Sequence, residues 1–380
     1  MISYRKLAMR VLGHSPVSAV KTARRSTAKR TAALALTAAL VVGMTIPAFA
    51  DTWYIENGDI SISAGTNGNK VTQGSTTKEN DTDTVIKSNG SSTASSNTVT
   101  IDAGEGETVN VTLDNVNINT SKTGDAAVSV TGSGNTNIEL NGNNTLTSGS
   151  GHAGLEHNKE TNSEGKETSG TLTITDNNND GKLTANGGAG SAGIGGGSYH
   201  YDEKKDYADT SNITITGGDI TASGGYYGAG IGAGCYGDAS NIRIEGNAHV
   251  TAFSDGSAAI GSGYHATGNS DITITDHATV EAASLDSCAI GSGHDSSDKV
   301  TITISGNASV NAQTRNSPAA IGSDTFSTTV NIEDHADVTA VGGYGVAIGT
   351  GYGHDSTGYH GATSTVINIT GGTVNAVTCD

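Results

Sequence analysis

Short runs of alternating apolar and polar residues recur along this chain and predict β-strands with one buried face. In the second half the runs come in pairs, the first reading Ile/Val-x-Ile and the second Ile/Val-x-Ala. The pairs start at Ile213 and Ile220, Ile242 and Val250, Ile272 and Val280, Ile302 and Val310, Val330 and Val338, and Ile367 and Val374. None of these runs shows helical spacing, so the pattern predicts an all-β protein.

A six-residue phrase built around Ile-Gly accompanies the strand pairs. Its copies are Ala192–Gly197, Ala229–Gly234, Ala258–Gly263, Cys288–Gly293, Ala319–Asp324 and Val346–Gly351. We interpret its isoleucine as the core residue of a third short strand. Its alanines and glycines would let the chain turn tightly beside the neighbouring repeats.

The repeat has a period of mostly 28 to 30 residues, which is typical of a solenoid. One such coil cannot bury its own inner face, so stacked coils about 4.8 Å apart must form continuous ladders of like residues. We predict one ladder through Ile213, Ile242, Ile272, Ile302 and Val330, and a second through the Ile-Gly isoleucines. The predicted fold is a single-chain parallel β-helix with ~30-residue coils.

The turns between paired strands contain Gly, Asn, Asp or His, the residues that most readily adopt a positive φ. His277 and His335 are the middle residues of two such turns, and we predict a left-handed backbone for both. They are two coils apart, about 10 Å, which is too far to share one metal ion.

The chain divides into a leader and a repeat region. Residues 1–50 carry eight Lys or Arg and no acid, then an apolar run and Ala48-Phe49-Ala50, as in a secretory signal peptide. A membrane anchor is the alternative, although the apolar run is marginal for a span. We predict N-terminal strands and a cap around Trp53 in 51–100, looser coils in 101–190, and the Ile-Gly coils in 191–380.

Charge and cysteine content indicate the compartment and the partners of this protein. The chain has 20 Lys and Arg against 38 Asp and Glu, and loss of the eight leader bases leaves 12 against 38. Such a surface repels nucleic acid and anionic lipid. Cys235, Cys288 and Cys379 are too few for a disulfide framework. We therefore predict a secreted, extracellular protein without a nucleic-acid partner or membrane insertion after cleavage, and leave attachment to the cell surface open.

Three segments carry a family resemblance: TVNVTLDNVNI, AAVSVTGSGNTNIELNGNNTLTSG and GTLTITDNNNDGKLTANGG. Over roughly Asp83 to Gly197 the chain resembles secreted bacterial carbohydrate-binding proteins of parallel β-helix, pectate-lyase-like fold. The resemblance implies a right-handed helix and calcium-dependent binding of cell-wall glycans. It supplies no short ligand-residue motif to transfer to this chain.

Asp176, Asn178 and Asp180 form a D-x-N-x-D-G sequence with Gly181. Calcium loops begin in this way because oxygen ligands at alternate positions wrap a hard cation. The acid expected at the twelfth position is replaced by Gly187, and an Asn-rich turn between strands needs no metal. The sequence is compatible both with a calcium site at this turn and with a turn that binds no metal.

A second cluster follows the Ile-Gly phrases. Stacking in register should gather these residues on one ridge, where tyrosine rings could stack on sugars and Asp or His could bind hydroxyls or a cation. We predict carbohydrate binding by Tyr264, His265, His294, Asp295, Tyr352, His354 and Asp355. Solvated loop tips without a ligand are the alternative.

The repeat region lacks residues and motifs that β-helix enzymes use for catalysis. It has two arginines, Arg243 and Arg315, and no Gly-His-Gly of the polygalacturonase type. We predict a non-catalytic, calcium-assisted binder of a polysaccharide such as pectate or cellulose. A structural or adhesive surface repeat protein is the alternative, and a polysaccharide lyase is less favoured.

Overall fold

The computed structural model describes residues 51–198, 208–317, 319–343, 345–351, 354–355, 358–359 and 364–379, with backbone only at 354–355 and 358–359. From Asp51 onward these residues belong to one compact unit. They form a parallel β-helix in which each coil over 108–350 contributes one strand to each of three sheets, as the repeat predicts. The one helix in the described part is a single 3₁₀ turn at Ile55–Asn57.

Sheet 1 contains the Ile-x-Ile strands and has 11 members among the described residues. In spatial order they are Thr52–Tyr54, Thr84–Lys87, Thr108–Asp114, Asn135–Asn141, Leu172–Thr175, Thr210–Ile215, Ala239–Ile244, Asn269–Ile274, Lys299–Ile304, Thr328–Ile332 and Thr365–Ile369.

Sheet 2 contains the Val-x-Ala strands, nine of them in the described part. They are Asn117–Asn119, Asn143–Thr147, Lys182–Asn186, Asp219–Ser223, His249–Ser254, Thr279–Ser284, Ser309–Thr314, Asp337–Gly342 and Thr373–Thr378.

Sheet 3 contains the Ile-Gly strands, and its described members number 12. They are Thr76–Asp81, Gly68–Gln73, Ile60–Gly65, Val99–Asp102, Val128–Thr131, Leu155–Glu156, Ile194–Gly195, Ile231–Gly232, Ile260–Gly261, Ile290–Gly291, Ala319–Ser323 and Val346–Thr350. Outside these sheets, His354–Asp355 and Gly358–Tyr359 pair antiparallel.

The predicted ladders are confirmed residue by residue. Ile213 pairs with Ile242, which pairs with Ile272, and the column continues through Ile302 and Val330 to Ile367. The Ile-Gly isoleucines pair in the same way from Ile194 to Ile348. The ladder side chains from the middle coils are fully buried, so they supply the apolar contact that no single coil could make.

The glycine of the Ile-Gly phrase explains why that phrase varies so little. Its φ lies between +128° and +141° in Gly195, Gly232, Gly261, Gly291, Gly322 and Gly349. A Cβ on Gly261 would lie 1.9 Å from the carbonyl oxygen of Gly291 in the next coil. Both the dihedral angle and the close approach therefore require glycine, which agrees with the prediction of tight turns beside neighbouring coils.

The prediction of a left-handed backbone at His277 and His335 is wrong by one residue. The positive φ belongs to the preceding aspartates, Asp276 at 60° and Asp334 at 58°. The Asp276 carboxylate accepts a hydrogen bond from the backbone N–H of Gly246 in the preceding coil, at 3.2 Å. An aspartate can therefore stabilise the turn in two ways at once, by its tolerance of positive φ and by this bond.

The two ends of the described solenoid differ. At the N-terminal end, Ile60–Gly65, Gly68–Gln73 and Thr76–Asp81 form an antiparallel meander. Trp53 donates its indole N–H to the buried carboxylate of Asp81 at 2.9 Å, which ties sheet 1 to this meander. At the C-terminal end, Ile367 and Ile369 are 43% and 54% exposed.

Candidate functional site

The register of sheet 3 places the residues that follow each Ile-Gly strand in columns. Because Ile231, Ile260 and Ile290 pair in sequence, Cys235, Tyr264 and His294 occupy one position in successive coils. Tyr236, His265 and Asp295 occupy the next position, and all three have a positive φ. The chain therefore turns sharply at the same place in each coil, and the neighbouring side chains are held beside one another.

Aromatic rings stack along these columns and extend to the loop that precedes the Ile-Gly strand. The ring of Tyr227 lies 4.2 Å from that of Tyr264, nearly parallel, and 4.0 Å from that of Tyr226. Tyr264 also contacts His294 and His265, with ring centroids 5.9 and 4.0 Å away. The stack runs along the solenoid axis because successive coils supply its members.

The stack borders an open groove of about 350 Å³. Its lining is Tyr226, Tyr227, Gly256, Tyr264, Asp286, His294 and Asn316. Tyr226 offers the most accessible ring, at 58% exposure. In the same lining, the Asn316 amide donates to the Asp286 carboxylate at 2.8 Å, so the groove offers polar groups as well as rings.

The electrostatics keep the tyrosines neutral. Burial, followed by the charge of Asp295, raises the pKa of Tyr264 to about 12. A hydrogen bond with Tyr226, then burial, raises the pKa of Tyr227 to about 12. Both phenols therefore keep their O–H donors at physiological pH.

Next to the stack lies a group of three ionisable residues, His294, Asp295 and Asp324. His294 Nδ1 is 3.3 Å from Asp324 Oδ2, and His294 Nε2 is 3.7 Å from Asp295 Oδ1. The Tyr264 hydroxyl donates to the other oxygen of Asp295 at 3.3 Å. The Asp324 carboxylate is the main factor that raises the pKa of His294, against the opposing effect of burial.

The structure brings together four of the seven residues predicted to bind carbohydrate: Tyr264, His265, His294 and Asp295. Tyr352 lies outside the described residues. His354 and Asp355 lie on the short antiparallel pair, where only the backbone is described. Their part in binding stays a prediction.

Sequence reasoning missed Tyr226, Tyr227, Asp286, Asn316 and Asp324. The first four lie on the loops that precede the Ile-Gly strands, whereas the predicted ridge comprised only the loops that follow them. Asp324 carried a visible signal. It ends the phrase AAIGSD where the two preceding copies end in Gly263 and Gly293, and such a departure from a repeat can indicate a functional residue.

The predicted calcium sequence forms a turn that its own hydrogen bonds stabilise. Asp176 accepts from the backbone N–H groups of Asp180 and Gly181, at 3.2 and 3.1 Å. Asn178 donates to the side chain of Asn141 at 2.6 Å. These contacts hold the turn without a cation, so calcium at this turn stays a prediction.

Comparison with known proteins supports the fold. A family model described as a beta helix repeat matches residues 178–198, 213–235 and 242–264. No curated protein and no solved structure matches the chain. The matched segments lie in three successive coils of the parallel β-helix, so the match agrees with the fold. Among the described residues, no helix has the length and apolar character to cross a membrane.

Proposed function

We propose that this protein is an extracellular, non-catalytic polysaccharide-binding β-helix whose ligand lies along the Tyr226–Tyr227–Tyr264 stack. The observation that carries the proposal is an open groove lined by stacked tyrosine rings together with a hydrogen-bonded Asp–Asn pair. Tyrosine combines an apolar ring face with a hydroxyl, which suits the alternating C–H and O–H surface of a sugar.

The shape of the groove favours an extended chain as ligand. It is open rather than enclosed, and its aromatic wall follows the direction in which coils stack. An extended polysaccharide could contact several coils at once, and each additional coil would add contacts of the same kind.

The acidity of the groove bears on the role of calcium in the proposal. Asp286 lines the groove and Asp295 lies beside it, within a chain that has 38 acidic residues. A neutral glycan such as cellulose could approach directly, whereas the carboxylates of pectate would be repelled. Calcium would assist the acidic ligand by bridging its carboxylates and those of the protein.

The test is binding of residues 51–380 to cellulose and to polygalacturonate, with calcium and then with EDTA. We expect Tyr226→Ala to weaken binding by roughly tenfold or more, because truncating an exposed aromatic anchor removes most of its contact. Tyr54→Ala is the matched control, since Tyr54 is an exposed tyrosine at the N-terminal end of sheet 1. Absence of binding to both glycans, or equal loss in the two variants, would favour the alternative of a structural or adhesive surface protein.

A further inference from the structure

The columns that contain Tyr264 and His265 change residue type in the next coil. Tyr264 is followed in register by His294, and His265 is followed by Asp295. One coil further on, Asp324 stands in the column of Gly263 and Gly293. The third strand also lengthens there, from two residues at Ile290–Gly291 to five at Ala319–Ser323.

Each of the three residues at this point has one shielded polar atom without a hydrogen-bond partner. These atoms are His294 Nδ1, Asp295 Oδ1 and Asp324 Oδ1. The Asp324 side chain is 1% exposed, and its other oxygen lies within ion-pair distance of His294 without good alignment for a hydrogen bond. His294 Nδ1 and Asp295 Oδ1 have ion-pair contacts only, and Asp324 Oδ1 has no contact of either kind. Buried polar atoms normally have partners, so the unpartnered oxygen of a buried carboxylate at this place points to a missing ligand.

The spacing suits a metal ion. One ligand atom from each residue lies within 4.8 Å of those from the other two. Ligands about 2.1 Å from a tetrahedral metal lie about 3.4 Å apart, close to the 3.3 Å between His294 Nδ1 and Asp324 Oδ2. Asp295 Oδ1 lies 3.7 Å from the other ring nitrogen, Nε2, so coordination through Nδ1 requires the Asp295 carboxylate to turn toward that nitrogen.

The donor set indicates the class of metal. An imidazole nitrogen with two carboxylates suits a divalent transition metal, whereas calcium prefers six to eight oxygen ligands. The Tyr264 hydroxyl bound to Asp295 Oδ2 would orient this carboxylate from outside the coordination shell and leave Oδ1 toward the metal.

We propose that His294, Asp295 and Asp324 bind one divalent transition-metal ion, of the zinc or manganese class, at the edge of the aromatic groove. The His294 side chain is 40% exposed and lines the groove, so a water molecule or an oxygen of a groove ligand could serve as a further ligand. The site is separate from the calcium-assisted contact proposed above and does not depend on polysaccharide binding.

A protonated His294 between two carboxylates is the competing explanation of the cluster. It would satisfy the charges with a proton in place of a metal. The two explanations differ in one measurable respect, because only the metal site binds added zinc in a saturable way through these residues.

The experiment is calorimetric titration of metal-free residues 51–380, freed of any affinity tag, with Zn²⁺ and with Mn²⁺. Absorbance on addition of Co²⁺ provides a second readout of a nitrogen–oxygen site. We expect one equivalent of zinc to bind in the presence of excess calcium. Asp324→Asn and His294→Tyr should each weaken it by roughly tenfold or more.

The control is His335→Tyr, which removes an exposed turn histidine elsewhere on the chain. Asp324→Gly restores the residue found at Gly263 and Gly293, so it offers a second variant if Asp324→Asn folds poorly. The proposal is overturned if zinc does not bind with one-to-one stoichiometry, or if Asp324 and His294 variants bind it as tightly as the parent. No glycan is present, so failure of polysaccharide binding leaves this result unaffected.

Discussion

Asp298 is a carboxylate that the fold buries at a cost, and replacing it with asparagine should stabilise the protein. Asp298 lies just before the sheet 1 strand Lys299–Ile304 and is fully buried. Neither of its oxygens has a hydrogen bond of good geometry. Burial raises its pKa from 3.8 to about 6, with Ser270 and Ser262 opposing the shift and the charge of Asp238 adding to it.

The magnitude follows from proton linkage. The folded-state pKa lies above the unfolded value, so between pH 3.8 and 6 the folded chain keeps a proton that the unfolded chain has lost. Stability therefore falls as pH rises through this window. A shift of about two pKa units corresponds to about 3 kcal/mol, fully expressed above pH 6 and absent below pH 4.

Asparagine does not titrate, so Asp298→Asn should remove this penalty. The assay is urea unfolding of parent and variant at several values of pH from 4 to 8, with the difference in unfolding free energy as the measured quantity. We expect the difference to be small near pH 4 and to rise toward about 3 kcal/mol in favour of the variant at pH 8. Asp255→Asn, on an exposed loop, is the control and should show no such rise.

A constant difference between parent and Asp298→Asn from pH 4 to 8 would refute the reasoning. It would mean that the Asp298 carboxylate has the same pKa in the folded and unfolded chains. A difference that grows in the opposite direction would mean that the ionised form is stabilised by partners in the fold.

Three further predictions follow from the packing. Gly261→Ala should destabilise the solenoid by about 3 kcal/mol or more in urea unfolding, because its Cβ would collide with the carbonyl of Gly291. Gly58→Ala is the control and should cost less, since Gly58 has a similar φ of 134° but no atom within 4 Å of the added Cβ. Ile290→Ala should cost about 2–5 kcal/mol in the same assay, whereas Ile369→Ala should cost far less because Ile369 is 54% exposed. Trp53→Phe should lower the free energy of unfolding by about 1–3 kcal/mol, because it leaves the buried Asp81 oxygen without its indole donor. Equal stability of parent and variant would contradict a stabilising role for this hydrogen bond.

The sequence predicted the coil because the relevant information is local and repeated. Period-two alternation identifies each strand, and repetition at 28 to 30 residues fixes which strands must stack. The pairing of Ile242 with Ile272, and of Ile272 with Ile302, follows, since a slip of one residue would turn the apolar side chains outward. The same local reasoning failed at His277, because Asp276 is an equally good candidate for positive φ and only the backbone path distinguishes them.

The candidate site could be predicted only in part. Tyr264, His265, His294 and Asp295 follow consecutive Ile-Gly phrases, so register alone brings them together. Tyr227 reaches the same groove from the other side of the Ile-Gly strand, and its contact with Tyr264 depends on how far the two loops fold toward each other.

The sequence by itself determined the parallel β-helix, its three strands per coil and the columns of like residues, because stacking translates one coil onto the next. Tertiary structure alone decided what surrounds each column. It placed Asp324 beside His294 and Asp295, buried the Asp298 carboxylate and opened a groove beside Tyr226. The physical reason is that strand register depends on backbone pairing common to every coil, whereas these sites depend on loops and on side-chain directions that differ from coil to coil.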